Sequence, residues 1–323
     1  MTIGNRQSTI DNRQLKVDNY SAFAGVYLMR AETERGGGKK RRGRVLLLVL
    51  AILVLAVAVL LIDSNTRIVT TGYELYYSKL PKGFDDFRIV VLSDIHASEF
   101  GEGNKRLISQ VAEAEPDIIA LTGDLIDGYD TPPIERQLEI ARSLVAELIK
   151  IAPVYYITGN HDWNSGALRQ LTPILEAGGA EILRNSYTIL ESGGDAIILA
   201  GTDDPNGPAD MIKPDELVGS IRAETGDSFI VMLEHRNNNL QLYSELGVDL
   251  VLCGHAHGGI IRLPFTDGLI GPQRDWFPTY TNGVYSMGGT NMVVSRGLGN
   301  HTGFARFLNN PQIVEVVLKR IQV

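Results

Sequence analysis

From position 45 to 62 every residue is apolar, 18 in succession (VLLLVLAILVLAVAVLLI). Coiled as a helix at about 1.5 Å per residue, such a run spans the hydrocarbon core of a bilayer. A helix buried in a soluble protein rarely runs that far without a polar residue. A polar stretch follows, and from Tyr73 the pattern changes to short β-branched or apolar runs alternating with helical stripes. Positions 88–92 (RIVVL), 117–121 (DIIAL), 154–157 (VYYI), 229–233 (FIVML) and 249–252 (DLVL) are predicted to be buried strands. Between them, 133–150 carries Ile134, Leu138, Ala141, Val145, Leu148 and Ile149 at helical spacing, with Pro153 ending it. Leu107, Ile108, Val111 and Ala112 make a shorter stripe stopped by Pro116. The stripes read as core faces. The alternation predicts one layered α/β domain over 81–323, with no fixed-period repeat and no low-complexity linker dividing it.

Charge orients the apolar run. Lys39, Lys40, Arg41, Arg42 and Arg44 stand just before it and Asp63 just after, so the positive-inside bias puts the N-terminus in the cytoplasm and everything beyond Ile62 outside. A leading region of 44 residues is too long for the charged start of a cleavable signal, which leaves a retained anchor in the cell membrane. The chain is thus expected to divide into a basic, largely disordered cytoplasmic tail (1–44), a transmembrane helix (45–62), a linker with the first strand (63–80) and the domain (81–323). Residues 1–44 carry +6, so a chain of net −8 leaves −14 on the rest. A body that acidic excludes nucleic acid as the main partner, since phosphate backbones are held by clustered Lys and Arg. The single Cys253 excludes an internal disulfide framework and a cysteine-based zinc cluster; metal chemistry here would use His, Asp, Asn or Glu.

Each predicted strand is followed by chemistry. Ser93-Asp94-Ile95-His96 comes after the first, Thr122-Gly123-Asp124-Leu125-Ile126-Asp127 after the second and Thr158-Gly159-Asn160-His161-Asp162 after the third. Glu234-His235 comes after the fourth and Gly254-His255-Ala256-His257 after the fifth. Singly, each is a turn or a satisfied core histidine. Together, five of the six histidines share one topological place, the carboxyl end of a strand, where α/β folds build sites. Carboxylates, imidazoles and an amide oxygen without thiolate suit a pair of divalent ions, Mn, Fe or Zn. Along extended backbone, residues two apart point the same way, so Asp94 with His96, and His255 with His257, are expected to reach one cluster. Asp124, directly after a glycine, is the natural bridge between two cations.

The ordered series Asp94-x-His96, Gly123-Asp124-x-x-Asp127, Gly159-Asn160-His161-Asp162, His235 and Gly254-His255-x-His257 resembles the calcineurin-like metallophosphoesterases across residues 81–323. It is most similar to the membrane-anchored bacterial YkuE/YaeI-type branch, through Leu80-Pro81, the 88–94 segment, His257-Gly258-Gly259 and Ser295-Arg296-Gly297-Leu298-Gly299. Two departures lie beside the site and bear on substrate preference. Ile260 stands where that branch has Gln, and Arg236-Asn237-Asn238 where it has a Pro-containing turn.

The resemblance implies a four-layer αββα sandwich of two mixed sheets, here preceded by one transmembrane helix. It also implies that one ion is held by Asp94, His96, Asp124 and His257, and the other by Asp124, Asn160, His235 and His255. His161 would stand outside the ligands as leaving-group acid or phosphate donor, with Asp127 and Asp162 orienting their neighbours. The implied reaction is phosphoester hydrolysis by a metal-bridged hydroxide, with tethering to the membrane favouring a lipid or cell-envelope substrate. Hydrolysis of a UDP-2,3-diacylglucosamine-type pyrophosphate ranks lower, because related enzymes do this on the cytoplasmic side. A non-catalytic metal-binding surface scaffold ranks lower because no ligand is missing, and a metal-dependent amidohydrolase because His-x-His comes last here rather than first. Of the remaining residues, His301 reads as a loop histidine, Cys253 as packing and Asp203-Asp204 as a turn. Trp276, Phe277 and Tyr280 form a loop cluster that either packs over a sheet edge, caps the cleft or dips toward lipid.

Overall fold

The apolar run is part of a longer helix. The computed structural model describes residues 41–129, 132–264, 266–271, 274–300 and 305–321, and in it helix α1 covers Arg41–Thr66. Of the tail assigned to 1–44, residues 1–40 lie outside the described residues, as does His301, while Arg41–Arg44, read as part of that tail, instead form the start of α1. The apolar side chains of α1 are exposed. Its last turn continues past Ile62 in polar sequence, stabilised by an Arg67–Asp63 ion pair (2.6 Å) and by the Thr66 hydroxyl donating to Ile62 O (2.8 Å).

The five predicted strands are β2 (Arg88–Leu92), β3 (Ile118–Thr122), β4 (Val154–Ile157), β8 (Ile230–Leu233) and β9 (Leu250–Cys253). Asp117 and Asp249 fall just ahead of their strands for a physical reason. Their carboxylates accept the backbone N–H of Arg88 (2.7 Å) and Ile230 (2.8 Å), closing the start of the neighbouring strand. Seven further strands complete the sheets: β1 (Val69–Tyr77), β5 (Glu181–Ile182), β6 (Ser186–Ser192), β7 (Asp195–Gly201), β10 (Gly283–Met287), β11 (Thr290–Val294) and β12 (Gln312–Arg320). One sheet runs β1-β12-β2-β3-β4-β5 and the other β10-β11-β9-β8-β7-β6. Both are mixed: β12 is antiparallel to β2, and β10–β11 and β6–β7 are antiparallel pairs in an otherwise parallel set.

Alternate side chains of each central strand enter different layers. Ile89 and Val91 of β2 pack with Val231 and Leu233 of β8 between the sheets. Val90 and Leu92 face the other way, against α2 (Lys105–Glu113), α3 (Ile134–Leu148) and α5 (Leu168–Ala177), where α4 (Asn160–Asn164) also follows β4. Ile230 and Met232 of β8 face α6 (Pro214–Thr225) and α7 (Leu240–Glu245). A strand buried on both faces must read as an unbroken apolar run, which is why these were visible in sequence. The result is helices, sheet, sheet, helices, with the carboxyl ends of the parallel strands β2, β3 and β4 along one edge of their sheet and those of β8 and β9 along one edge of theirs.

Candidate metal centre

The loops that leave these strands are stitched into one platform. Asp94 N, His96 N and Ala97 N donate to Gly123, Asp124 and Leu125 carbonyls at 2.9 to 3.0 Å, joining the loops after β2 and β3. Gly254 N donates to His235 O (3.0 Å), joining those after β8 and β9. The platform tolerates no side chain at Gly159 or Gly254, where a Cβ would overlap the carboxylates of Asp124 and Asp94 respectively.

The backbone here corrects one expectation. Asp94 (φ 50°), His96 (φ 48°), Asp124 (φ 53°), His255 (φ 63°) and His257 (φ 46°) are all left-handed rather than extended. The side chains of Asp-x-His and His-x-His converge because the chain reverses at each of them, a conformation unfavourable for residues with a Cβ and held only by the surrounding bonds.

All the predicted side chains are brought together; the carboxylates and His96, His235, His255 and His257 are buried, and Asn160 and His161 are half-buried. Asp94, His96 and His257 form one group, with His96 Nε2 3.2 Å from His257 Nε2 and His257 Nε2 3.4 Å from Asp94 Oδ1. Asp124, His235 and His255 form a second, with His235 Nε2 3.2 Å from both Asp124 Oδ2 and His255 Nδ1, and 3.1 Å from Asn160 Oδ1. Asp124 links this group to the first, its Oδ2 lying 3.8 Å from His96 Nε2, and it makes a third group with His96 and His161.

The donor set fits a cation better than it fits itself. His235 Nδ1 lies 2.9 Å from the carbonyl of Thr122, so that nitrogen is the N–H donor. In the neutral ring Nε2 then offers a lone pair, facing the acceptor oxygens of Asn160 and Asp124 and the ring nitrogen of His255. One proton answers only one of these neighbours; a divalent cation answers all of them. Asp124 Oδ1 is occupied by the His161 N–H (2.7 Å), whereas Oδ2 is buried with no hydrogen-bond donor and sits where the two groups meet.

Electrostatics agree. Burial opposes ionisation of Asp124, but His235, His96 and His161 outweigh it and hold its carboxyl well below the usual range. Burial pushes His235 down, and the charge of Asp124 more than reverses this, raising it to about 10. The carboxylates around His235, Asp124 first, therefore favour positive charge on its ring. Burial drives His257 well below its ordinary value and His255 down to about 3, leaving both rings neutral and able to ligate.

The remaining predicted residues take supporting positions. Asp162 Oδ2 accepts the N–H of Gly159 and Asp124 (both 2.8 Å) and Oδ1 those of Leu125 (3.0 Å) and Ile126 (3.1 Å), locking the β3 and β4 loops together. Asp127 Oδ1 is 3.0 Å from His161 Nδ1. The hydrogen bond to Asp127 and the charge of Asp124 outweigh burial and raise the His161 pKa. His161 also lies within reach of His96 and Asp124, nearer the ligand cluster than its place after Asn160 suggested.

Several contributors were not foreseen. Gln137 on α3 accepts the Asp127 N–H (2.7 Å) and donates to Tyr129 O (2.7 Å) and Pro132 O (2.8 Å); its only signal was a polar residue inside an apolar stripe. Arg306, buried, donates to Arg296 O and Gly299 O and places Nη2 3.3 Å from His257 Nδ1. Asp204, read as part of a turn, instead holds Arg236 through two bonds (2.7 and 3.0 Å), beside a cavity of about 160 Å³ that reaches His255.

Comparison with known proteins supports the same reading. The family model described as calcineurin-like phosphoesterase matches residues 87–259. The metallophosphoesterase YkuE of Bacillus subtilis (strain 168) is 34% identical over 256 residues, covering 78% of this chain and 86% of that protein. Phosphodiesterase YaeI of Escherichia coli (strain K12) is 27% identical over 223 residues, 67% of this chain and 77% of its own length. A transmembrane protein with metallophosphoesterase domain from Danio rerio is 28% identical over 297 residues, 86% of this chain and 63% of its own length. With the strand-end series, the two sheets and the buried Asp/His/Asn cluster in agreement, the chain belongs to the calcineurin-like phosphoesterase family and is a metal-dependent hydrolase of phosphoesters.

Proposed function

We propose that this chain is a membrane-anchored phosphoesterase with a two-ion centre that acts outside the cytoplasm on a lipid or cell-envelope phosphoester. The observation that carries the two-ion reading is Asp124, whose unsatisfied Oδ2 stands between two histidine groups. Asp94, His96, Asp124 and His257 would hold one ion and Asp124, Asn160, His235 and His255 the other, of the Mn, Fe or Zn type. Bound there, the ions would supply an acidified water and positive charge for the phosphate oxygens.

The protein's own groups do the rest. Asp162 fixes the two loops that present Asp124 and Asn160. Asp127 orients His161 through Nδ1, which leaves Nε2 to deliver a proton to the departing oxygen. That is the task of a general acid, worth typically 10²- to 10⁴-fold. The name of the YaeI relative, a phosphodiesterase, favours diesters over monoesters. Helix α1 supplies the anchor, and the basic residues ahead of it supply the orientation.

The test is metal analysis of the full chain purified in detergent, paired with turnover of phosphomonoesters, diesters and lipid phosphates. Two equivalents of metal per chain and preferred cleavage of a lipid diester are expected. Bound metal with no turnover of any phosphoester would instead establish a scaffold.

A further inference from the structure

One wall of the cleft ends in two largely exposed aromatic side chains. Asp275, Pro278 and Thr279 line the cavity that reaches His255. Between them Trp276 and Phe277 are 70% and 72% exposed, their ring centroids 6.4 Å apart. The segment is built. Phe277 N donates to Leu269 O (3.0 Å), Gly271 N to Asp275 O (2.9 Å), and Asn237 Nδ2 reaches Tyr280 O (2.8 Å). Phe277 sits at a φ of 55°, an unfavourable conformation for an aromatic residue, in the turn that presents the pair to the outside.

The base of this loop lies beside the end of the apolar helix. Ile260 O and Arg262 N bond Phe307 on one side (3.3 and 3.0 Å). On the other side, Leu308 N donates to Ser64 Oγ (2.8 Å), and Asn65 exchanges hydrogen bonds with Arg306 (2.8 and 3.0 Å). Asn310 adds a bond to Asp63 O (2.8 Å). Positions 306–310 are thus clasped between residues 63–65 and the start of the aromatic loop. If Ile62 is the last residue in hydrocarbon, Asp63, Ser64 and Asn65 lie in the headgroup layer, and the loop springs from that level.

We infer that Trp276 and Phe277 insert into the bilayer interface, so that the cleft beside His255 opens onto lipid headgroups. The partner is the lipid surface itself. Trp is suited to that depth by its amphipathic ring, and Phe adds apolar area. This rests on the membrane-anchored reading of α1, and it narrows the substrate to a phosphoester carried in the same membrane.

The experiment uses the full chain in nanodiscs of phosphatidylcholine and phosphatidylglycerol (3:1). Trp163 and Trp276 are the two tryptophans, so Trp163→Phe leaves Trp276 as the sole indole. Replacing the lipid with its acyl-brominated form should quench Trp276 emission at least twofold, while aqueous iodide quenches it little. Strong iodide quenching without bromolipid quenching would overturn the inference. So would protection from both, which would mean that protein, a second copy included, covers the loop.

Should Trp163→Phe fold poorly, Trp276→Cys carrying a nitroxide serves instead, Cys253 being buried. Greater access to oxygen than to a soluble nickel complex is expected, and the reverse order would refute insertion. Neither readout depends on turnover, so failure here is distinguishable from failure of the phosphoesterase reading. Trp276→Ser with Phe277→Ser should leave turnover of soluble bis(p-nitrophenyl) phosphate unchanged.

Discussion

Replacing Asp162 by Asn should lower metal affinity far more than it lowers the stability of the metal-free fold. The wild-type carboxylate accepts four backbone N–H groups at 2.8 to 3.1 Å, two on each oxygen. An amide keeps one acceptor, leaving the N–H groups of two residues facing an NH₂. A buried donor without a partner costs about 1–3 kcal/mol, so the pair costs about 2–6 kcal/mol. In the metal-free protein a second effect opposes this. Burial and the charge of Asp124 push Asp162 from 3.8 up to about 7. A carboxyl raised on folding contributes stability that is complete below the unfolded value of 3.8 and is lost as pH rises through about 7. At pH 8 the ionised group therefore weighs on the metal-free fold by on the order of 4 kcal/mol, at 1.36 kcal/mol per pKa unit, and Asn carries no such charge. The two effects nearly offset in stripped protein. Once cations compensate Asp124 its repulsion of Asp162 is gone, while the burial penalty and the missing bonds remain. The expected loss in metal affinity is about 30-fold or more. It would be measured by competing Mn²⁺ against a fluorescent chelator, alongside urea unfolding of the chelator-stripped full chain at pH 8. Unchanged affinity, or a stripped variant destabilised as much as the loaded one, would refute the argument.

Four further outcomes follow from the same geometry. Asp124→Asn should weaken both metal equivalents together, because one carboxylate serves both groups; a variant that binds two equivalents with wild-type affinity would end the bridging assignment. His161→Ala should keep its metals and lose about 10²- to 10⁴-fold in rate, with a smaller loss on nitrophenyl esters whose leaving group needs no proton; equal losses on both substrate types would make His161 an electrostatic donor. Burial raises Glu234 from 4.5 to about 7, so its contribution to stability falls as pH climbs across that window. Glu234→Gln, which keeps an acceptor for Asn239, should gain on the order of 3 kcal/mol over wild type between pH 5 and 8.5 in stripped protein, read by urea unfolding. A phosphatase reporter fused after Val323 should be active outside the cytoplasm, and a cytoplasmic reading would reverse the orientation.

What sequence reveals here follows from what each part of the fold needs. Strands β2, β3, β4, β8 and β9 are sandwiched between layers on both faces, which forces unbroken apolar runs and makes them legible. The edge strand β6, with Tyr187 and Ile189 among half-buried and exposed positions, has no such constraint, whereas β7, buried on both faces from Ile197 to Gly201, carries an apolar run that is missing from the five predicted strands. In β10 and β12, Tyr285, Glu315 and Lys319 interrupt the pattern, while β11 buries only the short run Met292–Val294 on both faces. The ligands were legible because chemistry fixes residue type and each follows a legible strand. Their conformation was not: nothing in Asp-x-His marks a left-handed backbone, since that state is imposed by bonds to another loop, such as His96 N to Asp124 O. The same holds for Arg306, which lies 49 residues beyond His257 and meets it only because Asn65, Asn300 and Asn309 fold the closing segment back over the centre. A residue whose role depends on partners brought from three separate stretches leaves no local pattern. It follows that the least legible contact is the one that ties the exit of the apolar helix to a candidate ligand. Asn65→Ala, which removes bonds to Asn300 and to Arg306, is the change that would show whether the end of the apolar helix also steadies the centre.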